Sequence, residues 1–300
     1  MTPSRSEMMT TGSTLPRRIL ARLLRDARTD AGIAVDTARK AIGVSGQTFW
    51  RMETGQPTRI NPLFIRHLAE LYKVSEETTD VLLALTEESQ GKGWWHAYSD
   101  ELPKHFDFYV GLEDAAKRFS SYSTLLLPGL LQTADYRREV IWTEFPSMPT
   151  DEVERRIELS QRRQQRLRDK TNPLTVCALI DECALRRLIG SREVMAAQLH
   201  HLVEIGSLPN VSVRVVPMQV GRHSGTIAGP FVLLEFPRHP TAKLTEPPVV
   251  YIQGFTGALY LEKPDEVRQY RNAYAEIQRA ALDDGDSQNL IRMLMKELRE

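Results

Sequence analysis

Between Val35 and Gly55 the chain places two short helical runs on either side of a glycine turn, and few folds accommodate that spacing. The first run extends from Val35 to Ile42, and Gly43-Val44 follows as a tight turn. Ser45 is a good N-cap for a second run from Gly46 to Thr54, which Gly55 closes. Two short helices joined by a Gly-containing turn have the geometry of a helix-turn-helix unit.

The second of these helices divides its residues between two tasks. Val44, Phe49 and Met52 can face inward, while Gly46, Gln47, Thr48, Trp50 and Arg51 are left mostly outward near its N-terminus and, with the cap Ser45, are the candidate DNA-binding residues. In such a unit the early residues of this helix reach the edges of bases in the major groove. Gln pairs with adenine N6/N7 and Arg with guanine O6/N7, each by two hydrogen bonds. Gly46 either lets a backbone approach closely or simply relieves crowding.

The flanking segments complete a bundle of five short helices over residues 15–90. Ile19, Leu20, Leu23, Leu24 and Ala27 form an amphipathic helix with Arg18, Arg22, Arg25 and Arg28 on its other side, ended by Gly32. Asn61-Pro62 opens a fourth helix with a stripe of Leu63, Phe64, Leu68 and Leu71. Ser75 caps a fifth, with Glu76 and Glu77 in its first turn before Val81, Leu82 and Leu85. The chain balances 39 basic against 39 acidic residues, but residues 1–60 hold ten bases against five acids. Residues 61–90 reverse this, with two bases against six acids. A basic head of this kind attracts a phosphate backbone.

The stretch IGVSGQTFWRMETG over residues 42–55 resembles the lambda-repressor-like, Xre-type helix-turn-helix family. The resemblance implies base-reading positions at Gln47 and Arg51, with Thr48 and Trp50 beside them, and a structural role for Glu53. Two departures stand out: Ala38-Arg39 replaces the family's usual Leu-Ala, and Ala34-Val35 replaces its Ser/Thr-Gln opening. Arg39 would therefore have to snorkel out of a close helix contact.

Residues 1–14 are small, polar and unpatterned, and read as a disordered tail. Gly91-Lys92-Gly93 marks a boundary, after which residues 91–300 read as a larger regulatory domain, with Trp94 and Trp95 in its core. Residues 112–142 read as helix, strand-like segment and helix. The apolar run from Thr124 to Thr133 is broken by Pro128-Gly129, and Thr133 caps the helix that follows. Thr150 is expected to cap a long helix to about Asp169 whose exposed side is dense with arginine, Arg156 and Arg163 among them. Strands are expected over Leu174–Ile180, Val211–Val215, Phe231–Phe236, Val249–Ile252 and Ala258–Leu261. Ser191 caps a helix between the first two, and a final helix opens at Pro264. The expected fold is α+β: a five-helix bundle followed by a small mixed sheet covered by helices.

This second region carries LPGLLQTADY (127–136), RRQQR (162–166), IDECALRR (180–187), VMAAQL (194–199) and PNVSVRVVP (209–217). In that order they resemble the large domain behind the Xre-type module in WhiJ-like, antitoxin-like actinobacterial regulators. The resemblance implies a regulator, often encoded beside a small partner protein, and identifies no ligand. After Val250-Tyr251 that group commonly has Glu where Gln253 stands here.

Other chemistry finds little support. Asp181-Glu182 is an adjacent pair whose side chains diverge on a strand or a helix. His200, His201, His223 and His239 with Cys177 and Cys183 match no zinc spacing, and no Walker loop or nucleophile elbow appears. The glycine-spaced loop Gly221–Gly229 reads as a hairpin connection or lid. No enzyme, metal or cofactor is expected. No apolar run approaches the roughly 18–20 residues that span a bilayer, and no signal peptide is visible. Two lone cysteines read as buried thiols in a reducing cytoplasm. The expectation is a cytoplasmic homodimer on a double-stranded DNA operator, its second domain bound by a small ligand or partner protein. The alternative is an antitoxin-like module that neutralises a small partner protein without reading DNA.

Overall fold

A computed structural model describes residues 14–98 and 104–299. By their internal contacts they form two compact units. The first gathers the chain up to Ala97 together with Val110–Ala115 and Pro237–Glu246, and so takes in two segments beyond the boundary expected near residue 90. The second consists of Tyr98–Tyr109, Ala116–Phe236 and the chain from Pro247 onwards.

The first unit opens with five helices: α1 (Thr14–Asp30), α2 (Val35–Ala41), α3 (Gly46–Thr54), α4 (Pro62–Tyr72) and α5 (Glu76–Glu88). The tail expected over residues 1–14 lies outside the described residues except for Thr14, which already belongs to α1. Gly32, Gly43 and Gly55 adopt positive φ at the three breaks, as their sequence positions require. The side chains of Ser45, Asn61 and Ser75 cap α3, α4 and α5 by accepting from Thr48, Leu63 and Thr78 amides. Leu20, Leu24, Ala38, Phe49, Met52, Ile65, Leu68 and Leu82 make the common core.

Several expectations need correction. On α4 the buried stripe is Ile65, Leu68, Ala69 and Tyr72, while Leu63 is 66% exposed; the helical period starts from Ile65, two residues later than read. The expectation for Arg39 holds: Ala38 fills the core, and Arg39 snorkels out, partly exposed and paired with Asp36 on its own helix. Trp94 and Trp95 belong to the first unit, not to the core of the second domain. Trp95 is buried, and the Trp94 Nε1 donates to Asp114 Oδ1 at 2.9 Å. The room comes from Gly111, where a Cβ would collide with Thr14 and lie 2.8 Å from the Trp95 ring.

In the remainder of the chain, helices α6 (Lys104–Ala115), α7 (Ala134–Glu144), α8 (Thr150–Gln164), α9 (Glu182–Arg186), α10 (Arg192–Ile205), α11 (Gly225–Ala228), α12 (Pro264–Ala280) and α13 (Asp284–Glu297) accompany six strands. These are β1 (Arg118–Ser123), β2 (Thr175–Asp181), β3 (Val211–Val216), β4 (Phe231–Glu235), β5 (Val249–Gln253) and β6 (Ala258–Leu261). They form one mixed sheet in the order β3-β2-β1-β4-β5-β6, and the fold is α+β as expected. β1, β2 and β3 run parallel, and the helical connections between them are the crossovers that parallel pairing demands. β4, β5 and β6 are antiparallel.

The central strand β1 is almost wholly buried although its sequence is RFSSYS. Alternate residues face opposite sides of the sheet. On one side Tyr122, Leu233 and Val250 pack with Val267, Tyr274 and Ile277 of α12. Phe119, Ser121 and Ser123 turn to the other side.

α8 begins at Thr150 itself, with Pro149 in the cap position and no side-chain cap, and it gives way to a short 3-10 turn, Gln165–Leu167, before Asp169. Its arginines are not all on an exposed side, since Arg163 is buried. The helix at Pro264 is not the last: Ala281 breaks it and Asp283 caps α13. The Gly221–Gly229 loop holds the one-turn α11 and links β3 at the sheet edge to β4 beside β1, so it is a crossover and not a hairpin. Neither cysteine is fully buried: Cys177 is half-buried and Cys183 exposed, and both are free thiols. Asp181 caps α9 through the Cys183 amide and accepts from the Tyr122 hydroxyl, while Glu182 is buried against Arg186. Both carboxylates are thus held by structural bonds. Among the described residues, no helix is long and apolar enough to cross a membrane.

Candidate nucleic-acid interface

The outward residues of α3 stand on a rigid base. Phe49 and Met52 anchor the helix in the core. At its C-terminal end Glu53 is buried and receives a two-pronged bond from Arg28 of α1, Nε to Oε1 at 2.7 Å and Nη2 to Oε2 at 3.0 Å. The third nitrogen of Arg28 donates to the Ile33 carbonyl at 2.9 Å, so one guanidinium ties α1, α3 and the turn after α1. The bond to Glu53 holds the Arg28 guanidinium above its usual range. At the other end the Ser45 hydroxyl lies 2.9 Å from that of Thr48 and accepts from the Thr48 amide at 3.1 Å.

The structure brings Ser45, Gly46, Gln47, Thr48, Trp50 and Arg51 together on this one short helix and its cap. All but the partly covered Thr48 are exposed. Ser45 and Thr48 are engaged in the cap, which leaves Gln47, Trp50 and Arg51 as the outward probes. Trp50 is 56% exposed, a large apolar surface to leave in water. Among the described residues no hydrogen bond or ion pair engages the Arg51 guanidinium.

Space around Gly46 resolves its two readings. A Cβ there would meet nothing within 4 Å, so the residue relieves no crowding inside the bundle. Gly46→Ala is expected to leave the melting temperature unchanged or slightly raised, because alanine is the better helix former by about 1 kcal/mol at most. If a phosphate or base edge approaches this backbone, the same substitution weakens DNA binding, and a paired melting and DNA titration separates the two effects.

The basic head is less open than its composition indicates. Arg18 is buried and its Nε lies 2.6 Å from Glu246 Oε1, within the Pro237–Glu246 segment of this unit. Arg22 donates to the carbonyls of Lys243 and Thr245 at 2.8 and 3.1 Å, with its Nη2 3.7 Å from Glu246. Arg18 and Arg22 therefore do not face solvent as an open basic stripe. Arg39 and Lys40 pair with Asp36, whose carboxyl they hold below its usual range, Lys40 first. Arg25, Arg51 and Arg59 remain as exposed bases. The sequence assigned no role to Arg59, in the loop after α3; its signal was only its sign of charge. Glu246 lies 228 residues from Arg18, and no local pattern announces that pair.

Residues 19–82 match the family described as a helix-turn-helix domain. Residues 106–293 match a family described as a domain of unknown function, DUF5753. No curated protein and no solved structure matches the chain.

Proposed function

Because the chain belongs to the DUF5753 family and carries a helix-turn-helix domain ahead of that region, we propose that it is a sequence-specific transcriptional regulator of the Xre, WhiJ-like type. The observation that carries this reading is α3: a helix locked at both ends that turns Gln47, Trp50 and an unengaged Arg51 to solvent. In this reading α3 enters the major groove of an operator. Gln47 and Arg51 read base edges, Trp50 covers the adjoining sugar or thymine methyl, and the exposed Ser45 and Gly46 at the helix start meet phosphate. Arg25 and Arg59 add non-specific attraction. The protein acts in the cytoplasm as a homodimer, and its larger domain receives a small ligand or a partner protein that shifts the DNA-competent population.

Protection mapping on DNA from upstream of the protein's own coding sequence tests this. Two protected half-sites about one helical turn apart, roughly 10 bp, support a dimer reading a near-palindrome. A single half-site removes the dimer. No protection at any concentration below non-specific coating removes the regulator and leaves the antitoxin-like alternative.

A further inference from the structure

The second unit contains a cavity of about 410 Å³, the size of a small-molecule site. It lies against the face of the sheet opposite α12. Ser121, Val232 and Tyr251, paired side by side across β1, β4 and β5, form part of its floor. Helices α7 and α8 and the loop from Thr124 to Gly129 wall it, and the exposed Leu125, Leu126 and Phe255 stand among its lining residues.

The charge of this wall is unusual. Three arginines line it, Arg137 from α7 with Arg156 and Arg163 from α8, and among the described lining residues the only acid is Glu144, itself exposed. Arg163 is buried, with its guanidinium over the rings of Phe106 and Tyr109. Arg156 lies over Phe145. The Nε atoms of Arg137 and Arg156 are sealed from solvent, and no hydrogen bond satisfies either among the described residues. Burial, followed by the like charge of Arg163, pushes the Arg137 guanidinium down to about 10, with Glu144 opposing. Two further polar atoms are sealed without partners: Oγ of Ser121, a residue 1% exposed, and Oε1 of Gln132, a residue 4% exposed.

Sealing the Nε atoms of Arg137 and Arg156 from solvent without a hydrogen-bond partner is costly, and an anion bound beside these two cations lowers that cost. Guanidinium forks match the planar oxygens of a carboxylate or the tetrahedral oxygens of a phosphate. The remaining wall is aromatic and aliphatic, with Phe106, Tyr109, Phe119 and Leu159 among its residues, and suits an apolar body. We propose that this cavity binds a small organic anion, an apolar and preferably aromatic body ending in a carboxylate or phosphate, with Arg137, Arg156 and Arg163 receiving the charged end. The proposal deepens the reading in which the larger domain senses a small ligand. It rests on that reading for its regulatory meaning but not for binding itself.

The test is calorimetric titration of the full-length protein, without DNA, with 2-naphthoate, 1-naphthyl phosphate and the uncharged 2-naphthamide. At least one anion is expected to bind with a stoichiometry of one per chain and about tenfold or more tighter than the amide, as charge-assisted hydrogen bonds imply. Which anion binds tighter distinguishes carboxylate from phosphate. Gln253 is exposed in the wall, so Gln253→Glu keeps the fold and adds a like charge; it is expected to weaken the anion about threefold and leave the amide unaffected. Arg137→Met is expected to weaken the anion about tenfold. If Arg137→Met fails to fold, the amide comparison and Gln253→Glu still decide. Anions no tighter than the amide, or equal anion affinity in wild type and Gln253→Glu, overturn the proposal. Because no DNA is present, a failure here is distinct from a failure of operator binding.

Discussion

Glu246→Ala is expected to lower the free energy of unfolding of the N-terminal unit by about 3–5 kcal/mol, the cost of breaking a buried ion pair. Glu246 and Arg18 are only 3% and 7% exposed and meet at 2.6 Å. Removing the carboxylate takes away the partner that Arg18 shares with Arg22, whose second anchor in the same segment is two backbone carbonyls. Thermal unfolding should show the transition of this unit shifted strongly downward. A double variant, Arg18→Met with Glu246→Leu, should recover most of the loss, because replacing both charges by apolar groups leaves no broken pair. A shift within experimental error in the single variant would mean that water reaches the pair and that the segment is no anchor. The same physics bears on dissection: a fragment ending at residue 90 lacks Glu246 and is expected to be less stable than the unit it was meant to isolate.

Glu53→Ala is the second large effect. Arg28 is partly screened by solvent, so the expected cost is about 2–3 kcal/mol, below that of a fully buried pair. Here stability and function move together. Glu53 fixes the C-terminal end of α3, about one turn beyond Trp50 and nearly two beyond Gln47, and losing it allows the helix to shift in the groove. Specific DNA affinity should therefore fall even at temperatures where the variant remains folded, as judged by circular dichroism. Full affinity in a folded Glu53→Ala protein would show that the Arg28 bond contributes to stability alone.

The helical bundle was legible because its signals are local. Ser45, Asn61 and Ser75 cap what they were read to cap, and Gly32, Gly43 and Gly55 stand in the left-handed conformation at the breaks. Where a signal was only periodic, it slipped: Leu63 and Ile65 compete for the same stripe, and tertiary packing chose Ile65. β1 was legible only as a strand-like segment without bounds within residues 112–142, for a different reason. Serine carries neither apolar character nor strand preference, yet Ser120, Ser121 and Ser123 occupy the middle of the sheet. The arginines of α8 misled because a helix rich in both charges reads as solvated. Arg163 turns inward to the cavity, where the rings of Phe106 and Tyr109 receive it, and Arg156 also lines the cavity while lying over Phe145. The residues of α3 could be named from the sequence, but the burial of Arg18 could not, since its partner lies across most of the chain.

The central claim, that α3 reads bases, is tested most directly by fluorescence-anisotropy titration of operator DNA with wild-type protein and Arg51→Ala at two salt concentrations. Arg51 is exposed and bonded to nothing in the bundle, so the variant should fold as wild type does. The account predicts tight, salt-sensitive binding by the wild type and a loss of about 1–3 kcal/mol in the variant, greatest where the operator carries guanine. Equal affinity of the two proteins, with no preference for operator over unrelated DNA, would contradict it.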